Sequence, residues 1–149
     1  MRHSMNGNGY STLGTTAFAN NALIRYFNEL EYFAGVTNIS YNAWGGARLY
    51  KINFPPNLQS TDFYSAWAVN FSVLDFPVSL TRISQFRFNS LHRGVIFILR
   101  SDISSTSTPL YPSKAAVFYV ADELVDTYKA NWSSYFNASQ FHPLSEFTE

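Results

Sequence analysis

The cluster His92-Arg93-Gly94 is the most suggestive of chemistry in this chain. An imidazole can accept a proton as a general base, and Asp102 follows ten residues later. Between them lies the apolar run Val95 to Leu99, which reads as a strand and holds its two ends too far apart for a His–Asp dyad. Turn residues at the surface are the simpler reading of both. The other polar groups are scattered. His3 and His142 fall in terminal segments, and three dispersed histidines give no metal-ligand spacing. Ser101, Ser104 and Ser105 lack a nucleophile-elbow pattern. Glu29 and Glu31 are two apart on an expected helix and so do not face each other. Gly7-Asn8-Gly9 has no preceding strand, which a phosphate loop requires. No catalytic, cofactor-binding or metal-binding residue is expected, and the protein is read as a non-enzyme. Trp44, Trp67 and Trp132, with the many tyrosines, could stack on sugars, which keeps a glycan-binding module as an alternative.

Composition narrows the partners. A chain of 149 residues is one domain by length and can bury a core unaided. Charged residues make up 13%, about half the usual share, while aromatics reach 18%. Sparse charge with abundant rings suggests a surface partly covered by other subunits. The formal net charge is +0 with Lys and Arg dispersed, which argues against nucleic acid as the main partner. Without cysteine there is no disulfide framework, thiolate metal site or Cys nucleophile. No run approaches the roughly 20 apolar residues that span a bilayer. Residues 1–9 lack the apolar core of a secretory signal. Without such a signal, the Asn-x-Ser sequons at Asn38, Asn70, Asn131 and Asn137 read as chance matches.

The elements that would position these residues follow from apolar spacing. Residues 1–15 read as an extended or flexible arm. From Thr16 to Ala34, Phe18, Ala22, Leu23, Tyr26, Phe27, Leu30 and Phe33 fall on one helical face, and Gly35 ends it. Arg48 to Phe54 alternates as a half-buried strand, with Tyr50, Ile52 and Phe54 on one face, and Pro55-Pro56 stops it. Asp62 to Leu74 alternates as one longer strand, and Ile83 to Phe88 as another. Val95 to Leu99 is apolar on both faces and reads, with Ala115 to Val120, as a pair of central strands joined by a long loop. Asp122 to Phe136 returns to helical spacing, with Leu124, Tyr128, Trp132 and Tyr135 on one face and Asp122 placed to cap. No internal repeat is visible. The predicted core comprises Phe18, Phe27, Leu30, Trp67, Val69, Phe71, Val95, Phe97, Leu99, Val117 and Tyr119.

Phe86 and Phe88, then Arg93-Gly94, Val95 to Leu99, the irregular stretch Ser101 to Lys114 and Ala115 to Val120 form an ordered series. In this series the chain resembles the middle of jelly-roll viral capsid proteins of the picorna-like kind. The resemblance implies a shell or minor-capsid role in a virion, without catalytic residues. The expected fold is a β-rich α+β domain. Its sheet would be mostly antiparallel, or a partial jelly-roll-like sandwich, with an N-terminal helix before it and a C-terminal helix after it. Residues 16–136 would form the domain and residues 137–149 a docking tail, whose Phe141, Leu144 and Phe147 are the partner-contact candidates. The functional expectation is a structural subunit of a large assembly that contacts copies of itself or other subunits. An accessory subunit of a cellular multiprotein complex is the other reading.

Overall fold

A computed structural model of the chain describes residues 12–13, 26–40, 43, 50–64, 71–88, 91 and 94–149. Its strands are short, and as far as residue 99 they alternate along the chain between two surfaces. One surface carries β1 (Thr12–Leu13), β3 (Asn38–Ile39), β5 (Ser60–Tyr64) and β7 (Arg82–Arg87), hydrogen-bonded in that order. The other carries β2 (Tyr26–Phe27) with β4 (Lys51–Ile52), and then β6 (Val73–Asp75), β8 (Val95–Leu99), β9 (Ala116–Val120) and β10 (Phe141–Pro143). Every ladder among the described residues is parallel. Parallel neighbours need a crossover between them. Up to β8 each crossover carries a strand of the opposite surface; from β8 to β9 the crossover is a loop whose Leu110 bridges to Arg87, and from β9 to β10 it is helical, so the chain winds as a solenoid.

The winding has a period. Asn38 lies opposite Ser60 and Ser60 opposite Arg82, a step of 22 residues each time. On the other surface the steps from β6 to β8, β9 and β10 are 23, 21 and 23 residues. One corner of the coil recurs in the same form. The amide of Val36 bonds to the carbonyl of Phe33, Leu58 to Pro55 and Leu80 to Pro77, at 3.0, 3.1 and 3.1 Å. Val36, Leu58 and Leu80 are all buried. Pro55 and Pro77 suit these corners because a corner needs no ladder N–H. Polar side chains tie each corner to the coil before it: Asn57 Nδ2 donates to the Ala34 carbonyl at 2.8 Å and Ser79 Oγ to that of Leu58 at 2.7 Å.

Inside the coils, equivalent residues stack. Phe97, Phe118 and Phe141 are register partners on β8, β9 and β10. Their ring centroids are 5.3 and 5.0 Å apart and nearly parallel, close to the strand spacing that sets them. Phe54 and Phe76 stack likewise at 4.6 Å. Helix α1 (Val125–Asn131), entered through a 3-10 turn at Asp122–Leu124, closes the end of the stack. Its Tyr128, with Trp132 and Phe136 just beyond it, buries rings against Phe86, Phe118 and Phe141. Asp126, Asn131 and Ser133 are exposed. Such a polar outer face is what the terminal unit of a solenoid requires.

Several expectations are corrected. The sheets are parallel, whereas a jelly roll is antiparallel, so the resemblance to capsid proteins does not hold. The β-rich α+β character remains. The expected helix at Thr16 to Ala34 is not formed where it can be seen: residues 26–27 are strand and Asn28–Tyr32 a 3-10 turn, while residues 16–25 lie outside the described residues. Asp62 to Leu74 is not one strand; its ends belong to β5 and β6 on opposite surfaces, with residues 65–70 undescribed. A repeat does exist. Asp122 does not cap α1, whose N-cap is Leu124; its carboxylate accepts the Ser145 amide at 3.0 Å. Of the predicted core, Leu30, Phe71, Val95, Phe97 and Leu99 are buried, and Val117 and Tyr119 are half-buried on the outward side of β9. Phe18, Trp67 and Val69 lie outside the described residues, as does the Phe27 side chain.

Candidate functional site

The ladder of the second surface is interrupted. β4 pairs with β2 and β6 with β8, and no ladder joins β4 to β6 among the described residues, although the two strands are in contact. Over this interruption lies a groove of about 300 Å³, lined by Tyr50, Lys51, Asn53, Val73, Asp75 and Phe147, among others. A second hollow of about 280 Å³ shares Asn53 and Asp75 and extends to Glu31 and Pro77. The groove exists because side chains alternate along each strand. Ile52 and Leu74 point into the core, which turns Lys51, Asn53, Val73 and Asp75 outward.

The groups around the groove are partly held in place. Arg100 grips Asp75 with two hydrogen bonds, of 3.0 and 2.9 Å. The bonds to Asp75 raise the Arg100 pKa further above its ordinary value. Asn53 Nδ2 donates to Glu31 Oε2 at 3.3 Å. Tyr50 is 49% exposed, and its ring lies 6.4 Å from that of Tyr26, itself 62% exposed. Phe147 closes one end; it packs edge-on against Tyr119, the register partner of the groove residue Ile98. The arrangement presents aromatic faces beside amide, ammonium and carboxylate groups.

A third hollow, of about 260 Å³, lies on the first surface between Arg82, Ser84, Gln85, Thr106, Thr108 and Leu110. A β-bulge makes it. Asp62 and Tyr64 oppose Ser84 and Arg87, so β7 carries one extra residue, and Gln85 takes a φ of 49°. Asp62 sits close by, opposite Ser84. Burial pushes its carboxyl pKa up, against the opposing pull of Arg82.

The residues singled out in the sequence fall as follows. His92, Arg93, His3, the Gly7–Gly9 stretch, Trp44 and Trp67 lie outside the described residues. Asp102 and Ser104 form a local turn, with the Ser104 amide donating to Asp102 Oδ1 at 2.9 Å. Ser101 Oγ donates to the Leu80 carbonyl, and Ser105 is exposed. Trp132 is buried with Nε1 directed at the carbonyls of Ser104 and Ser107, so it offers no face to a sugar. His142 packs on Tyr119. Glu29 and Glu31 are exposed. Phe141 belongs to the core stack, Leu144 is half-buried, and Phe147 lines the groove. No group of three His, Cys, Asp or Glu suited to a metal occurs among the described residues. Tyr26 and Tyr50, expected on the apolar face of a helix and on the face of a strand shared with Ile52 and Phe54, are exposed instead, while Asn53 and Asp75 were not singled out; the four come from three successive coils. The recurring corner at Val36, Leu58 and Leu80 is the signal that would have aligned them.

No protein-family model matches this chain, and neither a curated protein nor a solved structure matches it. No helix among the described residues is long and apolar enough to cross a membrane.

Proposed function

We propose that this chain is a non-catalytic subunit of a multiprotein complex that presents one solenoid surface to a protein partner. The observation behind this reading is the first surface. Asn38, Ser60 and Arg82 stand in register on β3, β5 and β7, with Asp62 and Ser84 forming a second row. Ser60 Oγ donates to Asn38 Oδ1 at 2.6 Å, which fixes part of that face before any partner arrives. The rows end at the bulge hollow, where Leu110 is 38% exposed and Tyr111, next to it, 64%. Ordered polar rows ending in a polar hollow with the exposed Leu110 at its edge supply the rim and anchor of a protein interface, and stacked coils are a general way to build such surfaces. A zero net charge fits a protein partner better than a polyanion. A shell role in a virion rested on the jelly-roll likeness, and the parallel sheets remove that support.

The test is the size of the native species. In native extract the chain is expected to elute well above its own 16.9 kDa. The double variant Arg82→Glu, Leu110→Arg is expected to elute as a monomer with an unchanged circular dichroism spectrum. A wild-type chain that runs as a monomer in native extract, or a folded double variant that stays in the complex, overturns the reading.

A further inference from the structure

We infer that the groove between β4 and β6 binds a neutral saccharide, with the Tyr50 ring as its platform. This surface is on the other side of the solenoid from the proposed protein interface, and the inference does not depend on that interface. Three features identify the ligand class. The first is the opening itself: the parallel ladder, continuous from β6 through β10, stops at β4, and a groove of about 300 Å³ lies over the interruption. That size is near the lower end of small-ligand sites. The second is the aromatic face. Tyr50 lines the groove, and Tyr26 from the preceding coil stands beside it; both are exposed, with ring centroids 6.4 Å apart and planes tilted by 34°. A tyrosine offers an apolar ring with a polar tip, which matches a sugar ring carrying C–H groups on its face and hydroxyls on its rim.

The third feature is charge. Lys51 supplies one cation, while Asp75 and Glu149 line the groove as carboxylates, and Arg100 already neutralises Asp75. An anionic ligand would find the single Lys51 set against Glu149, with Glu31 close by in the adjoining hollow. A purely apolar ligand would strip water from Lys51, Asn53 and Asp75 without replacing their hydrogen bonds, which is unfavourable. A polyhydroxylated neutral ligand satisfies both constraints, since each hydroxyl donates and accepts. Asn53 is the group best placed to read a hydroxyl pattern. Asn53 lines both hollows, and its amide is oriented by the bond to Glu31.

The experiment screens the full chain on an array of neutral and acidic glycans and titrates the best free oligosaccharide by calorimetry. Saturable binding to a neutral glycan is expected. Tyr50→Ala should weaken it about tenfold or more, the scale of one aromatic contact, while Tyr50→Phe retains it. Asn53→Ala should weaken it too, and Asp126→Asn, an exposed position on α1, should leave it unchanged. Amide shift mapping on the unsubstituted chain should place the perturbations at residues 50–53 and 73–75, which tests the site even where a variant folds poorly. The inference is overturned by a chain that binds no glycan on the array or prefers acidic ones. It is equally overturned by shifts that map elsewhere, or by binding that ignores both Tyr50→Ala and Asn53→Ala in folded protein.

Discussion

Tyr128 ties the end of the solenoid together with a single hydroxyl. It donates to the Ser101 carbonyl at 2.6 Å and accepts the Ile103 amide at 3.0 Å. Burial, aided by the charge of Asp102, raises its pKa far above the ordinary phenol value, so it stays a protonated donor throughout the working pH range. Tyr128→Phe keeps the ring stack but leaves the buried Ile103 amide and the part-buried Ser101 carbonyl without this partner. The expected loss is about 1–3 kcal/mol in urea unfolding, the usual cost of an unsatisfied buried polar group; an unchanged midpoint would mean that those groups find other partners. Asp62 shows the opposite situation. Its folded-state pKa is raised from 3.8 by burial, which Arg82 only partly offsets. Between the unfolded and folded values the folded chain binds more protons, so its contribution favours folding below about 3.8 and is lost as pH rises through the folded value. Asp62→Asn is therefore expected to raise the melting temperature at pH 7, with the advantage shrinking on acidification towards pH 3. A variant less stable than wild type at pH 7 would show that the Arg82 attraction outweighs desolvation.

The strands are held by their neighbours rather than by their own length, and β10 shows how. It is only the three residues Phe141–Pro143, yet Phe141 is the last ring of the Phe97–Phe118–Phe141 stack and also meets Trp132 and Phe136. Beyond it, residues 144–149 lie over the outer face, held by Phe147 on Tyr119 and by Ser145 on Asp122. Two truncations separate these roles. Removal of residues 144–149 should leave a cooperatively folded chain with a more exposed Tyr119. Removal of residues 137–149 uncovers the Phe118 ring and the β9 edge, and should abolish the cooperative transition or lead to aggregation. A cooperative melt in the longer truncation, at the wild-type temperature, would show that β10 is dispensable. The sequence made some of these elements legible. Val95 to Leu99 stood out because β8 is covered on both faces, and the Tyr128–Trp132 spacing betrayed the capping helix. Strand direction was not legible. Alternation reports which side chains are buried, and it reads the same for parallel and antiparallel partners. Asp62 to Leu74 looked continuous because apolar residues alternate through it, yet the inward phase changes from Phe63 on β5 to Leu74 on β6. The groove was hidden for a related reason, since its residues become neighbours only after the chain has wound once.

Across the whole molecule, stability should be close to a sum of coils and of contacts between adjacent coils. The repeat behind this is faint in the sequence because a coil constrains shape more than identity. Ile52, Leu74, Phe97, Phe118 and Phe141 occupy comparable inward sites with three different side chains. The step also varies: 26 residues from β1 to β3, 22 in the middle of the first surface and 21 from β8 to β9. Register, rather than residue type, is the conserved quantity between coils, and this can be tested by adding one. Val95 lies opposite Ala116, so residues 95–115 are one complete step. Duplicating them in tandem places a second Val95–Leu99 strand between β8 and β9, with its Phe97 inside the ring stack and α1 resting on the second copy of Ser101–Ser107. The enlarged chain should melt cooperatively, with the same spectroscopic signature per residue. In solution scattering it should be longer by about 4.8 Å, one strand spacing. Duplicating residues 95–105 alone adds apolar residues of the same kind but half a step, which throws inward side chains out of register, and that chain should not fold cooperatively. A full-step insertion that unfolds, or a half-step insertion that is tolerated equally well, would contradict the solenoid account of this chain.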